Sequence, residues 1–303
     1  MPVKLKKRLR LLGIMTIILT LIGLFVLHNV LPYAIISKHN RVPTVLPEKY
    51  GLQVTPATFK VADSIVLKGY YSYPKVAQPK GIIILLHGIG GVKEHFYELA
   101  KSLADHQIAS VLYDARAHGE SNGEYVTYGF HEKYDVQFIV DQIKQKHPEL
   151  PIGIWGNSMG GAVALQALAI GPQIDFGIIE STFTDLNQIV YDYQKRYAFG
   201  IGFRFATNYA LKRAGEIAQF DPKQVSPIQA VKTIDQPIFM SHGTADPNIK
   251  FEYGKKLHEH LKSQNKVFYP VEGGGHFGLS QKGGFDFIQK QLNSSSDAVL
   301  GQL

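Results

Sequence analysis

Ile152-Gly153-Ile154-Trp155-Gly156-Asn157-Ser158-Met159-Gly160-Gly161-Ala162-Val163-Ala164-Leu165 is the stretch on which the reading of this chain turns. The apolar residues 152–155 predict a buried strand, and the small and apolar residues from Gly161 to Leu168 predict a helix packed closely on a sheet. Between them lies Gly156-x-Ser158-x-Gly160. That pattern alone is weak, because serine is also an ordinary helix N-cap. Set between a strand and a helix, it describes a turn so tight that glycine is needed on both sides of the serine. Such a turn holds the serine oxygen clear of the backbone at a helix N-terminus, where developing negative charge is favoured. The expectation is a serine nucleophile.

A serine hydroxyl needs a base within hydrogen-bond reach, and the base needs a carboxylate to orient it. Downstream, His276 lies in Gly273-Gly274-Gly275-His276-Phe277-Gly278, just after the apolar segment Val267-Phe268-Tyr269. His258 and His260 fall in a charged helical stretch and read as solvated, while His242 reads as structural. Asp246 follows the strand-like Pro237-Ile238-Phe239-Met240 and is the expected acid, with Glu180 as its rival. The order Ser158, Asp246, His276 is that of one known triad arrangement. His87-Gly88-Ile89-Gly90-Gly91 closes another apolar run, Gly81–Leu86. The backbone amides of Ile89 and Met159 are therefore the expected oxyanion donors.

These segments sit in a repeating pattern. Antiparallel strands are expected between Ala57 and Pro74, followed by strand-helix alternation through about residue 180. Residues 184–229 break the rhythm with Tyr191, Tyr193, Tyr197, Phe199, Phe203, Phe205 and Tyr209, and read as a helical lid. Alternation then resumes to a last helix near 285–292, and residues 293–303 read as a flexible tail. The fold class is α/β, with a mostly parallel, doubly wound sheet whose ligands sit at the carboxyl ends of its strands.

The first ten residues carry Lys4, Lys6, Lys7, Arg8 and Arg10, ahead of an apolar run over residues 11–31. A run of that length matches a bilayer core, and the basic cluster predicts that the N-terminus stays cytoplasmic. The rival reading is a cleaved signal peptide, but the run exceeds the usual apolar core and no small-x-small cleavage site follows. We therefore expect a cytoplasmic segment (1–10), a single-pass signal anchor (11–31), a linker (32–54) and an extracytoplasmic domain (55–292). The five basic residues carry most of the net charge of +7, so the charge gives no case for nucleic-acid binding. The chain has no cysteine, which excludes disulfides, thiolate metal sites and a cysteine nucleophile. His118 has no partner at ligand spacing, so no metal is expected, and a serine-based hydrolysis needs no cofactor.

Taken together, the His87 loop, Asp114-Ala115-Arg116-Ala117-His118-Gly119-Glu120-Ser121, the Ser158 turn, Glu180-Ser181-Thr182-Phe183, Val225-Ser226-Pro227-Ile228, His242-Gly243-Thr244-Ala245-Asp246 and Gly275-His276 resemble the α/β-hydrolase superfamily. More narrowly, they are similar to its membrane-anchored Bem46-like and serine aminopeptidase-like (S33-type) branch. The likeness covers about residues 55–292 and implies an active hydrolase but carries over no substrate; a small-molecule or lipid-like ester is the expected one. A peptidase, an amidase, a thioesterase or an idle binding module on the same fold are the alternatives, since the superfamily hosts them all.

Overall fold

Chemistry on this chain is organised by an eight-stranded sheet, seen in a computed structural model that describes residues 2–75 and 78–300. Two helices come first, α1 (Val3–Asn29) and α2 (Leu31–Ile36). The sheet begins with β1 (Val54–Ala62) and β2 (Ile65–Ser72), an antiparallel hairpin. Alternation follows: β3 (Ile82–Leu86), α3 (Tyr97–Asp105), β4 (Ala109–Tyr113), α4 (Glu132–Lys146), β5 (Ile152–Asn157), α5 (Met159–Leu168) and β6 (Phe176–Glu180). The lid region contributes α6 (Leu186–Tyr197), α7 (Arg204–Ala218) and the short α8 (Pro227–Ala230). The chain then adds β7 (Ile238–Gly243), α9 (Phe251–His260), β8 (Lys266–Val271) and α10 (Gln281–Leu300).

Strand order is β1-β2-β4-β3-β5-β6-β7-β8, antiparallel at the first two pairings around β2 and parallel from β4 to β8. Strands β3, β4 and β6 are buried along their whole length, as continuous apolar runs in a sheet covered on both faces should be. One face packs Ile84, Val111, Ile154 and Ile179 against α4 and α5, and the other packs Ile83, Leu85, Trp155 and Ile178 against α3 and α10. The parallel strands all end on one edge, and Ser158, Glu180 and Asp246 lie at or just beyond it.

Two expectations need correction. The segment assigned to a plain linker is instead docked on the domain: Ile36 is fully buried, its carbonyl accepts from Val126 N–H at 2.9 Å, and the Tyr128 hydroxyl donates to the Ile35 carbonyl at 2.6 Å. Ser37 and His39 form isolated β-bridges with Tyr125 and His118. The apolar side chain of Ile36 drives this, because it fills a pocket among Ala162, Phe183 and Leu211. The final helix also runs on to Leu300, through most of the segment read as a flexible tail, whose residues 301–303 lie outside the described part.

Candidate active site

Ser158 joins β5 to α5 with φ 54° and ψ −120°, a conformation that L-residues avoid. Holding a non-glycine residue there costs ~1–3 kcal/mol, which the surrounding contacts must offset. Sterics explain the flanking glycines: a Cβ on Gly156 would meet the Gly160 carbonyl oxygen at 2.3 Å, and one on Gly160 the Leu86 carbonyl oxygen at 2.0 Å. The turn is pinned from β6, where Ser158 N–H donates to the Glu180 carbonyl at 2.9 Å. Thr182 Oγ1 donates to the Ser158 carbonyl at 2.7 Å. Ser158 is nearly buried, at the wall of a cavity of about 460 Å³ that Ile89, Met159, Tyr193 and His276 also line.

His276 and Asp246, 30 positions apart in the sequence, meet with Nδ1 and Oδ2 2.7 Å apart. Asp246 also accepts from the amides of Asn248 (2.7 Å) and Ile249 (3.0 Å), and its side chain is fully buried. Burial alone pushes this carboxyl up, but hydrogen bonding from His242, His276 and the two amides outweighs it and holds the group well below the usual carboxylate range. An ionised Asp246 accepts the hydrogen bond of Nδ1–H and so leaves Nε2 of the imidazole as an acceptor. Among the described residues no hydrogen bond joins His276 to Ser158; the two share the cavity wall.

Glu180, the rival acid, has different work. Its Oε1 accepts from the amides of Leu279 and Ser280, the latter at 3.1 Å, and so holds the end of the loop that carries His276. Burial raises its carboxyl, against the pull of those two amides. At the other end of that loop, Gly273 N–H donates to Thr244 Oγ1 at 2.9 Å and Ala245 N–H to the Gly274 carbonyl at 3.0 Å. The loops bearing His276 and Asp246 are thus stitched together.

Ile89 and Met159 both face the cavity. As the first residue of α5, Met159 has an amide with no acceptor inside its helix. Behind Ile89 stands a cluster of histidines that sequence reasoning left ungrouped. His118 Nε2 accepts from Gly90 N–H at 3.2 Å while its Nδ1–H donates to the Arg116 carbonyl at 2.9 Å. His87 Nε2 accepts from Ala115 N–H at 3.0 Å, and its Nδ1–H donates to the Gly88 carbonyl at 2.8 Å. Burial drives both rings toward the neutral form, His87 down to about 4 and His118 to about 3. His39, from the docked segment, stacks on His118 with ring centroids 4.9 Å apart. These rings support the backbone of the loop that holds Ile89. The only advance signal was the recurrence of histidine beside glycine at His87 and His118. Asp114 and Arg116 serve the same scaffold: Asp114 accepts from Lys93 N–H and Nζ, and Arg116 forms a two-point pair with Asp135.

A mostly parallel sheet with helices on both faces, and a serine turn at the carboxyl edge of its strands, define the α/β-hydrolase class. Residues 77–228 match the family model for Serine aminopeptidase, S33, and the chain belongs to that family. It is 28% identical over 243 residues to the uncharacterized protein YqkD of Bacillus subtilis (strain 168), covering 77% of this chain and 72% of that one. It is 29% identical to the lysophosphatidylserine lipase ABHD12 of Danio rerio over 61% of this chain, which spans only 48% of that relative's length. A Pyrococcus furiosus esterase, Pf2001, shares the fold with a TM-score of 0.67 at 20% identity, over 86% of this chain and 98% of the esterase.

Proposed function

We propose that this hydrolase-family chain is a membrane-anchored serine hydrolase that cleaves carboxylic esters through an acyl-enzyme. Ser158 Oγ attacks the carbonyl, His276 Nε2 takes its proton and returns it to the leaving alcohol, and Asp246 steadies the imidazolium. The amides of Ile89 and Met159 receive the oxyanion, each worth ~2.7–4 kcal/mol of barrier in comparable sites. Water then releases the acyl group. The observation that carries the reading is the strained Ser158 turn opening on the same cavity as a His276–Asp246 pair bonded at 2.7 Å. The Ser158–His276 contact must tighten when substrate binds, as catalytic hydrogen bonds commonly do.

The ester preference over a peptide is supported by the state of the nearby acids. An aminopeptidase needs a carboxylate free to receive an ammonium. Glu180 is taken by backbone amides, Asp185 caps α6 through Gln188 N–H, and Asp192 is taken by Lys250 and Tyr253. A lipid-like ester is favoured by the apolar lining from Ile35, Phe183, Ile189 and Val190, and by relatives named as lysophosphatidylserine lipases. Anchoring rests on α1, whose 27 residues would extend ~40 Å, beyond the ~30 Å of a bilayer core. None of its side chains is buried in the protein.

The test uses the full-length chain purified in detergent. It should hydrolyse p-nitrophenyl esters and label with a fluorophosphonate, and Ser158→Ala should lose both. Labelling that persists in the variant refutes Ser158 as the nucleophile, and an inert wild type returns the chain to a binding role.

A further inference from the structure

The turn between α6 and α7 exposes more apolar surface than a monomer in water should. Phe199 is 99% exposed, and Tyr197, Ile201, Phe203 and Phe205 are each more than half exposed. The Phe203 and Phe205 rings lie 5.7 Å apart, and all of these residues are carried by the one short stretch from Tyr197 to Phe205. Two observations identify what covers it. First, the patch is continuous with α1: His28, at the end of that apolar helix, bonds to the Tyr209 hydroxyl on α7 at 2.7 Å. The α7 backbone from Tyr209 to Phe203 rises only about 9 Å, so the tip stays close to the contact with the end of α1. Second, a collar of cations stands directly behind the aromatic tip. Arg204 stacks on Tyr191 at 3.8 Å, Arg196 on Tyr193 at 5.0 Å, and Lys195 lies 5.9 Å from the Tyr191 ring. Aromatic side chains with a basic collar are the composition of a surface seated in the headgroup region of a bilayer.

We propose that the α6–α7 tip is a membrane-inserting surface, which holds the mouth of the cavity against the bilayer from which α1 emerges; this rests on the reading of α1 as a membrane span. A tip so seated presents Tyr193 and Tyr197, which line the cavity, to lipid at the interface, and an acyl chain reaches Ser158 without crossing water.

The absence of cysteine makes the test clean. Single nitroxide labels are placed on the full chain at Phe199→Cys, Leu19→Cys and Gln145→Cys, with the protein in vesicles of neutral and anionic phospholipid. Collision with oxygen and with a water-soluble nickel chelate is read by electron paramagnetic resonance. The expected result is that positions 19 and 199 both favour oxygen while exposed position 145 on α4 favours nickel. Position 199 reading like 145 while 19 reads as immersed overturns the tip and leaves the anchor intact. Position 19 reading as aqueous overturns both. Dipolar broadening between labels at 199 assigns the patch to a second copy and overturns the lipid assignment. The double variant Phe199→Asp/Phe203→Asp should lose roughly tenfold in turnover of a bilayer-embedded single-chain ester, with a short soluble ester unaffected. An equal loss on both substrates counts against a membrane role.

Discussion

Asp246 gathers its donors from three places in the chain: the His276 imidazole on the loop after β8, the amides of Asn248 and Ile249 beside it, and His242 of β7 at 3.5 Å. All of them favour the charged carboxylate, and its buried position makes each one count. Because the folded group is held below the ~3.9 of an unfolded aspartate, it adds stability that is fully present above that value. That stability is lost as pH falls through the folded-state value, on the acid side only. Asp246→Asn should therefore lower the melting temperature near neutrality, with the gap to wild type closing as the pH is taken below about 4. On the proposed mechanism the same variant leaves His276 in the wrong tautomer, and ester turnover should fall by on the order of 10⁴. Melting curves from pH 7 to pH 3, run beside a turnover assay, check both; a constant stability gap across that range would show that the carboxylate is not the titrating group.

Among the elements, the segment from α2 to His39 is the one with the most unexpected role. It supplies Ala34 and Ile35 to the cavity wall, Ile36 to the core beneath the lid, and His39 to the stack behind the Ile89 loop. A truncation at residue 40, natural if residues 32–54 were a plain linker, would strip all of these away. Ile36→Ala in the full chain should cost about 2–5 kcal/mol of stability, the range for emptying a well-packed aliphatic site. Thermal or denaturant unfolding measures it, and a cost near zero would mean that the segment is only loosely seated. The contrast with β5–Ser158–α5 shows why one was legible in the sequence and the other was not. The serine turn is spelled as a short motif, Gly156-x-Ser158-x-Gly160, in which Gly156 answers a backbone clash with Gly160 and Gly160 one with Leu86 on β3. The buried strands were equally readable, because coverage on both faces writes itself as an unbroken apolar run. The docking of Ile35 depends on Tyr128, 93 positions away, and no local periodicity encodes such a match. The same holds for the choice between Asp246 and Glu180: chain order favoured Asp246, but only the pairing of Glu180 with Leu279 and Ser280 explains what Glu180 does instead.

At the scale of the whole molecule, α1 and the hydrolase-fold domain are joined without slack, because α2 follows α1 after a single residue and is itself docked on α7. On the proposed reading of α1 as a membrane span, its orientation therefore fixes the compartment in which the candidate site works. Lys4, Lys6, Lys7, Arg8 and Arg10 precede the apolar run, and such a cluster is retained on the cytoplasmic side. The domain should then face the other side of the membrane. With no native cysteine to interfere, Gln145→Cys on the exposed face of α4 should react with a membrane-impermeant maleimide in intact cells. Lys4→Cys should react only after the membrane is opened. The reverse pattern would put the domain in the cytoplasm and show that the basic cluster had been overruled by the folded domain behind it. Labelling of both positions in intact cells would mean that α1 does not span the bilayer at all.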